Sequence, residues 1–252
     1  MRSILITFLA FCFAMPYAPF SAMAGPPFLT DDPEPVEYKH WEIYLASISQ
    51  EQRGGVSMTA PHVEINYGLV PNVQVHVIAP MEYVEPSGLS SHHYGYGDTE
   101  LGVKWRFFEN EEAKFMAGIY PLVEVPTGSE SRGLGNGDAQ VFLPIWLQKA
   151  WGPWLTYGGG GYWINPGSGH ENSWFFGWLL QRQLNDTFTL GAELFYETAR
   201  QTDDERHFGS NIGLIINLTE IHHILLSAGT DIIGPAGLYS YAAYQLTFGP
   251  DK

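Results

Sequence analysis

Ionisable side chains in this sequence recur at every second position of short, otherwise apolar segments. His62 and Glu64 are two residues apart, and Glu100, Lys104 and Arg106 follow the same even spacing. Because successive side chains of a β-strand point to opposite faces, each set lies on one face of a strand. Such a face could line a narrow polar path, where charged groups neutralise one another or set the selectivity for solutes.

One predicted hairpin brings two of these side chains together. Folding the chain about Leu69 pairs His62 with His76, and Glu64 and Gln74 then lie one step along. A metal site needs a third ligand, which the spacing does not supply. The histidines are therefore interpreted as polar lining, and no metal or other cofactor is predicted.

The candidate lining of a solute path contains these residues together with further acidic ones. Its members are His62, Glu64, His76, Glu100, Lys104, Arg106, Glu124, Asp138 and Glu193. Because the set is rich in acids, it favours neutral or cationic solutes. No catalytic residue is predicted, since the sequence has no G-x-S-x-G motif and no serine that its spacing pairs with a histidine.

A Gly-x-Gly-Asp motif occurs twice, at Gly95 to Asp98 and at Gly135 to Asp138. Each copy lies where a connection enters a predicted strand. The favoured interpretation is a turn geometry used twice, for which glycine supplies unusual dihedral angles. A calcium site is the alternative, but no acidic repeat accompanies the motif.

Composition restricts the class of protein. The 252 residues carry a net charge of −15, which excludes a nucleic-acid binder because such proteins cluster Lys and Arg. Aromatic residues make up 15% of the chain and charged residues 15%, with 28 glycines, a balance that favours an all-β fold. No stretch of the mature chain is long and apolar enough for a membrane-spanning helix.

Three regions follow from the chain's organisation. Residues 1–24 have the pattern of a signal peptide, with Arg2, an apolar stretch and a small-residue cleavage site, and they contain the only cysteine, Cys12. Residues 25–40 form an acidic, proline-rich leader, interpreted as a tether on the periplasmic side, with a plug inside the barrel as the alternative. Residues 41–252 form the folded domain.

Period-2 alternation predicts twelve strands in that domain. They span 41–49, 59–67, 73–80, 98–108, 114–125, 137–149, 154–164, 173–184, 188–199, 208–218, 223–229 and 238–248. The inward or outward facing of 154–164 is left open, because glycines 158–161 interrupt the pattern.

The connections between these strands alternate between long and short. Those at 50–58, 81–97, 126–136, 165–172, 200–207 and 230–237 are long, and those at 68–72, 109–113, 150–153, 185–187 and 219–222 are short. Outer-membrane barrels have short periplasmic turns and long extracellular loops. Aromatic residues at the strand ends, such as Trp105 and Trp151 near short turns and Trp163 and Trp174 near long ones, suit the two membrane interfaces. The prediction is a single antiparallel transmembrane β-barrel in the outer membrane.

Several motifs resemble those of one bacterial family. They are the run GPPFLTDDP from Gly25 to Pro33 followed by Trp41 and Glu42, the pair Tyr67–Gly68 with the turn Val70 to Asn72, the pair Gly97–Asp98 with Gly102, Lys104 and Phe107, and Pro121 with Pro126 to Gly128. The family consists of proteins described as belonging to the meta-pathway of phenol degradation. The resemblance implies an outer-membrane barrel that transports aromatic or other small compounds.

The expected partners are outer-membrane lipid and a small-molecule solute, whereas the oligomeric state is left open. The expected function is a transporter or channel rather than an enzyme. Two alternatives are carried forward: a barrel that does not transport and acts through structure or surface binding, and an outer-membrane esterase or lipase. The path residues named above carry the transport interpretation.

Overall fold

The computed structural model describes residues 25–52, 55–87, 92–202, 205–235 and 237–250. The predicted signal peptide, 1–24, lies outside the described residues. A short 3-10 helix spans Glu130–Arg132, and in the described part of the chain no helix is long and apolar enough to cross a membrane.

Strand segments make up nearly all of the regular structure. They are β1 Trp41–Gln52, β2 Gly55–Val70, β3 Val73–Pro86, β4 His93–Tyr96, β5 Thr99–Asn110, β6 Phe115–Ile119, β7 Leu122–Val125, β8 Gln140–Trp151, β9 Trp154–Ile164, β10 Ser173–Gln183, β11 Phe188–Glu197, β12 His207–Asn217, β13 His222–Ile233 and β14 Leu238–Phe248.

These segments form one antiparallel sheet that closes on itself. The first and last strands pair from Trp41 opposite Phe248 to Glu51 opposite Leu238, and β3 pairs with both β4 and β5. Segments β4 and β5 run along β3 as one barrel strand, and β6 and β7 run between β5 and β8 as another. The result is the predicted closed barrel of twelve strands.

The outer face of this barrel is a belt of exposed apolar side chains. Leu45, Ile145 and Ile212 are 55%, 55% and 65% exposed. Exposed aromatic residues such as Trp151 and Trp174 lie near the two ends of the belt. Because exposed apolar area on this scale is stable only against lipid, the belt is the membrane-facing surface.

The hairpin predicted around Leu69 has a different register. The chain turns at Pro71–Asn72, where Asn72 takes a φ of 65°, and His76 lies opposite Asn66 while His62 lies opposite Pro80. The predicted pairing register, with the chain folded about Leu69, was therefore wrong: it differs from the observed register by an even number of positions. An even slip leaves every side chain on its predicted face, so the alternation alone could not detect it.

Two connections predicted as long are short, because the strands extend beyond the apolar belt. Strand β1 continues to Gln52 and β2 starts at Gly55, while β13 continues to Ile233 and β14 starts at Leu238. The extended ends of β1 to β3 carry Ser, Gln and Glu side chains, which do not show the alternation used for prediction. The backbones of these strands remain paired there, although their side chains no longer form a lipid-facing surface.

Candidate functional site

Most of the leader, residues 25–36, lies inside the barrel, whereas residues 37–39 are exposed beside the end of β2, where Tyr38 pairs with Gly68. Thr30 and Asp32 are completely buried. The interpretation of this segment as a tether is therefore corrected in favour of the alternative, a plug inside the barrel, because its polar groups find partners on the lumen wall.

One anchor of the leader is an ion-pair cluster at Lys104. The ammonium Nζ lies 2.9 Å from Oδ1 of Asp31 and 3.2 Å from Oδ2 of Asp32. It also lies 4.8 Å from the centre of the Tyr120 ring. All three charged groups are largely removed from water, so each depends on the others for compensation.

A second anchor is Glu193 of β11. Its Oε1 accepts hydrogen bonds from the backbone N–H of Thr30 and, at 2.5 Å, from the Thr30 hydroxyl. Its Oε2 accepts from the N–H of Leu29 at 3.2 Å and from the Asn211 amide at 2.8 Å. The carboxylate thus uses both oxygens to hold the leader across the lumen.

Smaller contacts hold the rest of the segment. The Gln148 amide donates to Glu34 at 2.8 Å, and the N–H of Val36 donates to Gln74 at 2.9 Å. Burial raises the pKa of the Glu34 carboxyl, and the hydrogen bond from Gln148 opposes that shift.

Inward glycines make room for the leader. A Cβ at Gly191 or at Gly213 would lie 2.5 Å from the ring of Phe28, and one at Gly118 would lie 2.9 Å from Pro33. Any larger side chain at these positions would displace the leader. The glycines that the alternation places on the inward face therefore shape a seat for this segment.

A cavity of about 840 Å³ occupies the lumen between the leader and the ends of the strands that carry the longer loops. We call that side the loop end, and the opposite side, with the turn at Pro71–Asn72, the turn end. Phe28, Leu29 and Asp31 of the leader form part of the cavity lining.

One side of the cavity, here called the polar wall, contains His62, Glu64, His76 and Glu100. His76 Nε2 lies 2.8 Å from Oε1 of Glu100, and its Nδ1 lies 2.7 Å from the amide oxygen of Asn66. Among the described residues no group of His, Cys, Asp and Glu has the arrangement of a metal site. The wall presents polar side chains to the cavity.

The neighbouring part of the lumen wall, here called the aromatic wall, was missed by sequence reasoning; it meets the polar wall where the Tyr120 ring lies 5.5 Å from the His76 ring. It comprises Tyr120, Phe142, Trp146, Trp163, Phe175, Phe195 and Tyr239, which form one buried cluster. Trp163 thus faces the lumen and not the membrane interface. The facing of β9, which the sequence left open, follows from the same burial: Leu155, Tyr157 and Trp163 point inward. Phe175 to Leu180 is apolar on both faces, and that signal could have revealed the wall, because a lipid-facing strand needs only one apolar face.

Charged groups cluster where the cavity approaches the loop end. In this rim cluster, Glu197 pairs with Arg200, and Glu197 Oε2 lies 3.2 Å from His207 Nε2. Asp231 Oδ1 lies 3.3 Å from the other ring nitrogen of His207. The Arg200 guanidinium also lies 4.6 Å from the centre of the Trp163 ring.

The nine predicted path residues divide among these places. His62, Glu64, His76 and Glu100 line the cavity, whereas Lys104 and Glu193 hold the leader. Arg106 lies towards the turn end, where it binds Asn72 at 2.6 Å and Glu109 at 3.0 Å. Glu124 accepts a hydrogen bond from Asn136 at 3.1 Å.

Asp138 is the exception, because it is exposed in the connection before β8 and does not face the lumen. Glycines at 133 and 137 with positive φ keep this connection irregular, so the strand begins at Gln140 and not at 137 as predicted. The two Gly-x-Gly-Asp motifs are also not equivalent. Asp98 accepts the N–H groups of Gly128 at 2.9 Å and Asn136 at 2.6 Å and so fastens the connection that contains the second copy.

Comparison with known proteins identifies the family. Residues 59–245 match the family model described as "Putative MetA-pathway of phenol degradation". The chain belongs to this family. No curated protein matches the sequence.

Solved structures with the same fold are outer-membrane channels and porins. An outer membrane channel from Pseudomonas putida F1 is 15% identical with a TM-score of 0.71, covering 90% of this chain and 100% of that chain. The KdgM porin is 10% identical with a TM-score of 0.57, covering 82% and 99%. The NanC porin is 8% identical with a TM-score of 0.57, covering 81% and 98%. This family member is thus a β-barrel of the outer-membrane type.

Proposed function

We propose that this family member is an outer-membrane channel for small molecules, and that the described arrangement is its closed state. The observation that carries the proposal is that the cavity ends at the leader. Ion pairs and hydrogen bonds, which are reversible contacts, hold this leader inside a barrel whose outer surface faces the membrane. If the barrel strands themselves closed the lumen, it would stay closed. A segment held by ion pairs and hydrogen bonds can leave it.

The cavity lining suits a solute with an apolar body and a polar group. The aromatic wall supplies ring surfaces, and the adjoining polar wall supplies carboxylates and imidazoles. The polar wall supplies the hydrogen-bonding groups for the polar part of such a solute. The KdgM porin, which shares the fold, has been solved in complex with disordered oligogalacturonate.

Transport explains the polar groups of the lumen better than catalysis does. The hydrogen-bond partners of His207 are Glu197 and Tyr239, with Asp231 at salt-bridge distance, and none of these is a serine or cysteine. A serine-type esterase requires a hydroxyl nucleophile next to its histidine. The rim cluster is instead suited to binding charged or polar groups at the entrance.

Flux through liposomes tests the channel function. Purified full-length protein and the variant Lys104→Met are reconstituted, and swelling in arabinose is recorded. Removing the ammonium leaves Asp31 and Asp32 buried without a cation, so the leader leaves the lumen and the variant passes arabinose faster than the wild type. Lys149→Met serves as the control, because the Lys149 ammonium binds the carbonyl of Ala113 in a turn and not the leader.

The control should behave as the wild type does. If Lys104→Met inserts and folds but passes no more arabinose than protein-free liposomes, the channel function is wrong. A structural or surface-binding barrel would then be the better description.

A further inference from the structure

The first residue of the leader, Gly25, lies inside the lumen. It is buried at the floor of the cavity and forms part of the cavity lining. Its carbonyl accepts a hydrogen bond from the N–H of Phe28 at 3.4 Å, so the chain turns tightly here and the start of the leader folds back on itself. The predicted signal peptide ends at Ala24, and the bond that its cleavage breaks is therefore the one before Gly25.

The turn places Gly25 next to the carboxylates of Asp31 and Asp32. A Cβ at Gly25 would lie 3.5 Å from Oδ2 of Asp32 and 3.6 Å from Oδ1 of Asp31. Covalent geometry puts the nitrogen of a residue about 2.5 Å from its Cβ position, so both oxygens lie within about 6 Å of the Gly25 nitrogen. The same two oxygens contact the Lys104 ammonium. A positive charge on the Gly25 nitrogen would therefore share both carboxylates with Lys104.

The charges of this cluster do not balance among the described side chains. Two carboxylates of the leader face the one ammonium of Lys104, and a third carboxylate, that of Glu193, accepts the N–H of Leu29 at 3.2 Å. Burial raises the pKa of the Asp32 carboxyl, and the Lys104 charge opposes that rise without removing it. A second cation beside the pair would stabilise both carboxylates in their charged form.

The Tyr157 hydroxyl provides the other polar contact of Gly25. It lies 3.3 Å from the Gly25 nitrogen and 3.3 Å from the Gly25 carbonyl oxygen. The nitrogen of a peptide bond has a single proton, and Tyr157 accepts it, so none is left for the carboxylates. An α-ammonium has protons for Tyr157 and for the carboxylates, and it also carries the missing positive charge. The surroundings of this nitrogen therefore suit a chain terminus better than a peptide bond.

We propose that cleavage of the chain after Ala24 creates an α-ammonium on Gly25, and that this group anchors the leader in the lumen together with Lys104 and Glu193. The cleavage site is then a modification site that controls the plug. A chain that is uncleaved, or cut at another bond, has an uncharged nitrogen at Gly25 and holds its leader less firmly. The lumen is fully closed only in the processed protein.

Protonation of this amine and seating of the leader are linked. The groups that face the amine are Asp31 and Asp32 of the leader, Lys104 of β5, Tyr157 of β9 and Glu193 of β11. The nearest are the two aspartates, so the pKa of the seated α-amino group should lie above its ordinary value. A rise of about one unit corresponds to about tenfold in the equilibrium between the seated and the released leader. This contribution is complete below the ordinary pKa and is lost as the pH rises through the raised one.

Chemical labelling of the α-amino group tests the proposal. The full chain is produced with its own signal peptide and extracted from outer membranes, and its intact mass should be that of a chain starting at Gly25. Sulfo-NHS-acetate, which acetylates unprotonated amines, is then applied at a series of pH values. A protease that cuts before aspartate releases residues 25–30, which contain no lysine. The acetylation rate of that peptide gives the apparent pKa of the α-amino group in the folded protein and in urea.

The α-amino group of the folded protein should titrate about one pH unit or more above that of the protein in urea. Asp32→Asn should lower the value of the folded protein towards that of the unfolded chain. Glu37→Gln is the matched control, because Glu37 is an acid of the same leader but lies exposed beside the end of β2, and it should titrate as the wild type does. Equal values for folded and unfolded wild type would overturn the proposal, and so would a mature chain that starts at another residue.

Two further variants move or keep the chain terminus without changing an ionisable side chain. Inserting Ser-Gly between Ala24 and Gly25 moves the ammonium about 7 Å along the chain, away from the carboxylates. Added proteinase K should then cut the leader about tenfold faster than in the wild type, by the linkage above. If the leader of the insertion variant is cut as slowly as that of the wild type, the ammonium is not an anchor.

Gly25→Ala is the control for the insertion. It keeps the ammonium at its place, and its Cβ would make only ordinary contacts with Asp31 and Asp32. Gly25 has a φ of 100°, which strains alanine inside a chain but not at its first residue, where no preceding carbonyl exists. The leader of Gly25→Ala should therefore be cut as slowly as that of the wild type, and rapid cutting would contradict a terminus at this position. Neither labelling nor proteolysis depends on solute flux, so the arabinose experiment with Lys104→Met judges the channel function separately.

Discussion

The two halves of the lumen use similar side chains in different ways. In the half towards the turn end, Lys104 and Glu193 are buried and bound to the leader. In the half towards the loop end, Glu197 and Arg200 pair with each other at the edge of an open cavity, where the Arg200 side chain is 38% exposed. The first half is packed like a protein interior, and the second is open to solvent.

This difference shows that inward-facing charge does not by itself mark a solute path. Lys104 and Glu193 belong to the predicted path, yet each is engaged by the protein's own chain. The cavity is instead lined by polar groups together with aromatic rings. A lumen residue therefore has to be judged by its partner, and variants in the two halves should have unequal effects.

The largest difference is expected for removal of a cation from each half. Lys104→Met should lower the free energy of unfolding by about 3–5 kcal/mol, because it leaves buried carboxylates uncompensated. The same change at the rim, Arg200→Met, removes a partly exposed ion pair and should cost about 0–1 kcal/mol. Urea unfolding in lipid vesicles, followed by tryptophan fluorescence, measures both.

Restoring neutrality is the control for this prediction. Combining Lys104→Met with Asp31→Asn and Asp32→Asn removes the unpaired charges and should recover part of the lost stability. Equal costs for Lys104→Met and Arg200→Met would contradict the contrast between a packed half and an open one.

More of the fold than of the candidate site could be predicted from the sequence. Alternation such as Leu101, Val103 and Trp105 against Glu100 and Lys104 reports directly which face meets lipid, because one misplaced charge in the belt is costly. Strand number and barrel closure followed from that signal.

The contents of the lumen left no comparable signal. The acidic, proline-rich composition of the leader suits a hydrated tether equally well, and only the positions of Lys104 and Glu193 in the folded wall give its Asp31 and Thr30 their partners. Aromatic side chains such as Trp146 face inward where the rule for large porins expects polar groups. These features depend on contacts between distant parts of the chain, which local patterns do not encode.

A smaller difference is expected for isosteric loss of an acid. Glu193→Gln keeps the shape of the side chain but replaces the charged acceptor of the Thr30 and Leu29 hydrogen bonds, and it should cost about 1–3 kcal/mol in the same unfolding measurement. Glu100→Gln on the polar wall should cost less, because an amide oxygen can still accept a hydrogen bond from His76. A larger cost at Glu100 than at Glu193 would mean that the polar wall, not the leader seat, is the packed region.

The smallest effect is expected from a single hydroxyl at the far end of the leader. The Tyr157 hydroxyl lies 3.3 Å from both the nitrogen and the carbonyl oxygen of Gly25. Tyr157→Phe should therefore cost about 0.5–1.5 kcal/mol and expose the leader slightly more often to a protease added at the loop end. Tyr162→Phe is the matched control, because the Tyr162 ring packs at a tilt of 52° against Trp174, with ring centres 4.7 Å apart, on the neighbouring strand β10 and not on the leader. If the leader is cleaved faster only in Tyr157→Phe, the end of the leader nearest the cavity is the first to detach. If the two variants are cleaved at equal rates, release of the leader depends on the Lys104 and Glu193 anchors.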